Sequence, residues 1–236
     1  MKIKICGYTI KKLKHYSSIE FAKPLSPASD LVPEWYRKIP NFVASSTSII
    51  GLKENMTVKS CIPFLDSLTT GYMITTSQDI QVVQNNGRAL ITWLIQPEPL
   101  LMRDKNINDN IPTPYGYEDT HFSWKSPLNY QTPKGISMLL THPLNRFDLP
   151  FLTLSGIVDS EEGMVGGQIP FFIKKDFEGI IPKGTPFAQL IPFRKENWIA
   201  EEDPLLFKKG EEINYLSNSV LRGWYKKSRW KRARYK

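Results

Sequence analysis

Asp159 ends the tetrapeptide Gly156-Ile157-Val158-Asp159, with apolar runs before and after it in the stretch from Thr153 to Phe193. A carboxylate at a strand end is placed to orient an attacking water if it lies within hydrogen-bond reach. The bland alternative is that Gly156 and Asp159 form a turn capping a hairpin. His142 precedes Pro143 at the end of a second apolar run, and His121 lies near Glu118, Asp119 and Trp124. Glu118, Asp119 and His121 offer metal ligands, but no HxH or HxD spacing with a distant third ligand accompanies them. The expectation is therefore a hydrogen-bonded loop histidine and no metal site. No Ser-His-Asp order, P-loop or dinucleotide glycine motif occurs, and Gly163-Met164-Val165-Gly166-Gly167 lacks the lysine that a phosphate loop needs.

The 236 residues, 41% hydrophobic and 12% aromatic, suffice for one sizeable core or two small ones. No apolar window of about 18 residues exists, and the basic start lacks a long apolar stretch with a cleavage site, so the expectation is an unprocessed cytosolic protein. Cys6 and Cys61 make neither a disulfide framework nor a zinc set and read as buried small apolar side chains. The fifteen residues from 222 to 236 carry eight cations and no acid, which is the whole of the formal net charge of +8. The remainder is neutral, so a basic isoelectric point speaks only for the tail's partners.

Turn residues and alternation divide the chain into three parts. Residues 1–56 read as an accessory segment: a strand in Met1 to Ile10, then a stretch broken by Pro24, Pro27, Pro33 and Pro40, with a short helix at Glu34 to Lys38 and Trp35 and Tyr36 stapling it to its own core. Residues 57–193 carry short strands joined by turns, among them Asn86-Gly87, as expected of an all-β barrel or sandwich. Between 96 and 131 density in Pro, Asn and Asp predicts a long loop. Residues 194–236 form an extension, in which Leu216, Val220 and Trp224 at four-residue spacing predict a basic C-terminal helix with one apolar face, weakened at Gly223 by about 1 kcal/mol.

The order of parts within 57–193 resembles the deoxyuridine triphosphatase and deoxycytidine triphosphate deaminase superfamily. Thr70-Gly71-Tyr72-Met73-Ile74 with Asp79 is similar to that family's first motif; Pro133-Lys134-Gly135 followed by His142-Pro143-Leu144-Asn145-Arg146 takes the place of its second. Gly156-Ile157-Val158-Asp159 is similar to its Gly-Val-Ile-Asp, and Ile181 to Ile191 to its Gly-Asp-Arg-Ile-Ala-Gln-Leu, with Gln189 on the Gln. The resemblance implies a mainly β fold, a β-clip barrel with long loops, and ligand-binding positions at Tyr72, His142, Asn145, Arg146 and Gln189, with Asp159 positioning water. It also implies a homo-oligomer, often a trimer among the relatives. Several parts depart from the pattern. The family's magnesium-holding Asp falls on Met73, the Arg-Ser-Ser triplet is missing, and no Gly-rich tail covers the phosphates. The whole chain also resembles a group of proteins encoded by tailed phages, which implies no particular activity.

Two function classes follow. The first is a non-catalytic phage binding or assembly protein without a cofactor, located in the host cytoplasm or associated with the virion. Its tail cations Arg222, Lys226, Lys227, Arg229, Lys231, Arg232 and Arg234, interleaved with Trp224, Tyr225, Trp230 and Tyr235, suit a phosphate backbone with base stacking, or else a virion or other partner protein. An anionic membrane surface favours the same composition, and a solvated helix docked by its aromatics is the plain alternative. The second class is a divergent deoxynucleotide hydrolase or deaminase working through Asp159 with magnesium.

Overall fold

Short apolar runs between turn residues become strands throughout the computed structural model, which describes residues 12–17, 23–44, 54–103, 111–163, 167–215 and 224–236. The strands are β1 (Lys14–Ser17), β2 (Leu25–Pro27), β3 (Phe42–Ala44), β4 (Glu54–Met56), β5 (Tyr72–Thr75), β6 (Ile80–Asn85), β7 (Arg88–Trp93), β8 (Leu100–Met102), β9 (Tyr117–Lys125), β10 (Leu128–Gln131), β11 (Ile136–Thr141), β12 (Phe151–Thr153), β13 (Gly156–Asp159), β14 (Gln168–Lys174), β15 (Gly179–Ile181) and β16 (Pro186–Arg194). The helices are α1 (Glu34–Lys38), α2 (Ile62–Thr69), α3 (Leu205–Tyr215) and α4 (Trp224–Ser228). The chain divides into two compact units, residues 1–26 with 71–195, and residues 27–70 with 196–236.

The first unit is the β body. A five-stranded sheet runs β13-β11-β16-β5-β2, a four-stranded sheet β12-β14-β9-β8, a three-stranded sheet β15-β6-β7, and β1 pairs with β10. The pairings of β11, β13, β16 and β5 are antiparallel, as are those of β12, β14, β9 and β8. Among the described residues these sheets remain separate and none closes into a barrel, which corrects the expected closed form while bearing out the mainly β character. The β6–β7 hairpin shows the alternation most plainly: Ile80, Val82, Ala89 and Ile91 are buried while Gln81, Leu90 and Thr92 are exposed. Asn86 and Gly87 turn it with φ of 51° and 73°, the left-handed pair a two-residue hairpin requires.

The core lies where the five- and four-stranded sheets face one another. Trp124 of β9 stacks on Phe171 of β14 at 3.9 Å between ring centroids and on Phe187 of β16 at 4.9 Å, and meets Phe151 of β12 edge-on. Burial of rings this large is the dominant favourable term in such a core. Thr153, 2% exposed, joins the sheets. Its hydroxyl accepts from Trp124 Nε1–H (3.2 Å) and donates to the Phe187 carbonyl (2.6 Å), while its backbone N–H donates to His142 Nδ1 (3.3 Å).

Three sequence expectations need correction. The 96–131 stretch contains β8, β9 and β10, and β9 pairs with both β14 and β8 while carrying the buried Phe122 and Trp124. Its alternation is obscured because buried Glu118 shares the core-facing parity with Phe122 and Trp124, and buried His121 and Ser123 lie on the other. Among the short strands expected within 57–193, the apolar run from Pro150 to Val158 signals one strand but forms two: β12 belongs to the four-stranded sheet and β13 to the five-stranded one, the chain crossing at Leu154-Ser155. Cys61 is exposed rather than buried; Cys6 and the strand expected within Met1 to Ile10 lie outside the described residues.

In the second unit Tyr36 of α1 is buried and stacks on Phe64 of α2 at 5.8 Å, with Lys59 Nζ 4.5 Å from the centre of its ring. Lys59 also donates to the carbonyls of Tyr36 and Arg37 at the end of α1, where a cation is favoured. Tyr36 thus staples its segment to a local core, as the sequence predicts.

Replacing Thr153 with Val keeps the volume but leaves Trp124 Nε1–H and the Phe187 carbonyl without their partner. We expect a loss of about 1–3 kcal/mol for a buried group left unpaired, measured by urea unfolding; a wild-type midpoint would contradict the bridging role.

Candidate functional site

His142 to Arg146 form a rigid elbow after β11, and most of the candidate ligand residues meet there. Pro143 O accepts from Arg146 N–H (3.1 Å), and Asn145 takes the left-handed conformation with φ of 59°, a geometry Asn tolerates better than bulkier residues. The His142 ring is used at both nitrogens: Nδ1 accepts from Thr153 N–H, so Nε2 carries the proton and donates to the Arg146 carbonyl (3.2 Å). Burial holds its pKa below the ordinary imidazole value, only partly opposed by that hydrogen bond. Arg146 forms a forked ion pair with Asp148, Nε to Oδ1 at 2.9 Å and Nη2 to Oδ2 at 2.8 Å.

Gln189 fastens the elbow to the sheet. It is fully buried on β16, and its Oε1 accepts from Leu144 N–H at 2.8 Å. The register places Thr141, Gln189 and Met73 opposite one another across β11, β16 and β5, hence on one face, and Met73 is 1% exposed there. Tyr72 lies opposite Leu190, which lies opposite Leu140, and so belongs to the other, core-facing side, where it packs against the core. His142, Asn145, Arg146 and Gln189 are therefore brought together and Tyr72 is not. The turn before Tyr72 needs glycine: Gly71 has φ of 75°, and a Cβ there would overlap the Leu190 carbonyl oxygen.

Asp159 lies at the other end of β11. It is opposite Ser137, five residues before His142, a separation of roughly 17 Å along an extended strand. Ser137 Oγ–H donates to its Oδ1 at 2.6 Å and Lys195 Nζ to its Oδ2 at 2.9 Å. The Ser137 hydrogen bond first, and Lys195 second, hold the carboxyl below its usual pKa, on an exposed edge strand. A general base for water works best with a pKa near the operating pH, so this shift runs against that role. The neighbouring turn is tied down as well: Thr132 Oγ1 and Ser160 Oγ are 3.0 Å apart, and Glu161 Oε1 accepts from Gly135 N–H at 2.6 Å.

The position that the resemblance assigns to magnesium, Met73, does not fit the ion, and the water-positioning Asp159 stands apart from it. Met73 presents a buried thioether where a hard oxygen is required, and Asp159 is distant from the elbow. Among the described residues no three His, Cys, Asp or Glu side chains form a metal-sized group. His121 is a strand residue rather than a loop one. Odd spacing on β9 puts it on the face opposite Glu118, its ring meets Phe172 at 4.2 Å, and its Nδ1 has no hydrogen-bond partner among the described residues. Burial lowers its pKa too.

The tail is described from Trp224 onward; Arg222 and the apolar positions Leu216 and Val220 of the expected helix lie outside the described residues. What is seen of that helix is the five-residue α4, and residues 230–236 have no regular secondary structure. Lys226, Lys227, Arg229, Lys231, Arg232 and Arg234 are exposed. Trp230 is half-buried, its Nε1–H donating to Asp66 Oδ2 of α2 at 2.8 Å, so this aromatic anchors the tail. No helix among the described residues is long and apolar enough to cross a membrane.

Sequence reasoning passed over Lys174 and Lys183, which line a cleft of about 520 Å³ beside Arg146 and Asp148. No spacing signal marks them, since the end of β14 and the turn at 182–185 come together only in the fold. No family model matches this sequence, and no curated protein matches it.

Because His142 and His121 both have lowered pKa values in the folded state, the unfolded chain takes up protons first on acidification. Stability is fully present above the unfolded value of about 6.5 and falls as pH drops below it toward the folded values. His142→Gln should reduce that slope in urea unfolding between about pH 6.5 and 5, leaving the His121 contribution. A slope equal to that of the wild type would show that His142 is not held neutral by the elbow.

Proposed function

We propose that the chain is a non-catalytic binding or assembly protein of tailed-phage type, built on a body similar to the β-clip of the deoxyuridine triphosphatase and deoxycytidine triphosphate deaminase superfamily. In this reading the basic aromatic tail grips the phosphate backbone of nucleic acid. The observation that carries it is the segregation of charge. The last fifteen residues hold the entire net charge, and the described cations among them are exposed while Trp230 anchors the segment that carries them. Cations in this arrangement release counterions from a polyanion, and Tyr225, 46% exposed, offers a stacking surface.

The state of the candidate catalytic residues supports the non-catalytic half of the reading. Preorganised charge at the reacting atoms is the main source of rate in such hydrolases, and here the candidate cations and amides are already engaged within the elbow. The β-clip likeness is supported by the order of turns and by β16 running between β5 and β11, which carry the first and second motifs.

Fluorescently labelled single-stranded DNA titrated at increasing salt tests the tail. We expect log K to fall by about 0.7 per phosphate contacted for each unit of log salt, and deletion of residues 222–236 to abolish binding. Binding that survives the deletion, or that ignores salt, would refute the assignment; binding of a protein partner alone would move the tail to a different role.

A further inference from the structure

The cleft of about 520 Å³ beside the elbow has an apolar floor and a cationic rim. Ile181 is 1% exposed at its base, with the half-buried Phe177 ring next to it. Arg146, Lys174 and Lys183 line it together with one acid, Asp148, which is already paired with Arg146. Two cationic side chains thus remain in excess. Lys174 spends one of its three N–H donors on the Phe147 carbonyl at 3.0 Å, which orients the ammonium, and the Lys183 ammonium has no carboxylate within ion-pair distance among the described residues. The Lys183 backbone is fixed independently, its N–H donating to Asp79 Oδ1 at 2.7 Å, so the rim is held in place without using its charge.

A concave site of this size, mostly apolar with a few convergent polar groups, is the usual form of a small-molecule pocket, whose typical range is about 300–1,000 Å³. We propose that this cleft binds a small organic anion: a phosphate or carboxylate carried on an apolar ring, with the anion between Lys174 and Lys183 and the ring against Phe177 and Ile181. Its lining includes neither Asp159 nor any residue of 222–236, and the proposal does not rest on the nucleic-acid reading. Two lysines select the charge, Asp148 being paired with Arg146 and Asp79 engaged at the Lys183 backbone N–H, and the hydrophobic floor selects against a bare inorganic ion. A neutral ring would gain the floor and lose the ammonium contacts.

Calorimetric titration of the full chain with phenyl phosphate, benzoate and inorganic phosphate, at fixed salt, tests this, with amide and methyl chemical shifts to locate the ligand. The expected result is saturable binding of phenyl phosphate or benzoate with shifts at Phe177 and Ile181. Inorganic phosphate should bind at least about tenfold more weakly, and the Lys174→Gln/Lys183→Gln double variant should lose about tenfold or more, as expected for removing charge-assisted hydrogen bonds. Both lysines are partly or fully exposed, so the variant should fold, which circular dichroism checks; Phe177→Leu serves as a second variant that weakens the ring contact while keeping the charge. The proposal is overturned if neither ring-bearing anion binds. It is equally overturned if shifts move only in the tail, if the double variant binds like the wild type, or if inorganic phosphate binds as well as phenyl phosphate.

Discussion

One hydroxyl group fixes how the two facing sheets of the β body meet. Thr153 sits where the chain leaves the four-stranded sheet for the five-stranded one, and its side chain takes the indole N–H of Trp124 and gives to the carbonyl of Phe187. Those two residues are stacked ring on ring, so the hydrogen bonds and the aromatic contact specify the same approach of the sheets. Leaving any of these buried groups unpaired costs more than its hydrogen bond contributes, which makes the arrangement stringent. The backbone N–H of the same residue reaches His142, so the crossing point also sets the elbow that follows β11.

From that constraint follows the allocation of the polar residues around the elbow. His142 needs both nitrogens, Gln189 gives its oxygen to Leu144, and Arg146 is forked onto Asp148. A group that completes the fold in this way is poorly available for a substrate, because binding must break what it already makes. Chemistry that a nucleotide hydrolase would place here is correspondingly missing its carboxylate at Met73, and Asp159 belongs to a separate network with Ser137 and Lys195. The proposed contacts with outside partners use other groups, the exposed cations of the tail and the lysines Lys174 and Lys183 at the cleft.

How much of this was legible beforehand depended on whether one local rule decided the outcome. Asn86-Gly87 between alternating runs announced its hairpin, because both residues tolerate the left-handed conformation the turn imposes. Pro33 before Glu34 announced α1. β9 was hidden, since Glu118, His121 and Ser123 are polar and yet buried, so its hydrophobic pattern does not alternate. The crossing at Leu154-Ser155 was hidden for a different reason: Ser155-Gly156 marks a break in the run, but only the two sheets' separate registers reveal that the segments on either side serve different sheets. The likeness of motifs found the elbow residues but could not tell a ligand-binding amide from a structural one. That distinction lies in the Leu144 N–H, which no side-chain pattern encodes.

If the elbow and Asp159 are committed to the fold as proposed, the β body carries no nucleotide-hydrolysing centre, and turnover measures this most directly. The purified 236-residue chain incubated with magnesium and each of the common deoxynucleoside triphosphates, with release of phosphate, pyrophosphate and ammonia followed over time, should give rates equal to those of buffer alone. Release of any of the three that disappears in Asp159→Asn would contradict the account.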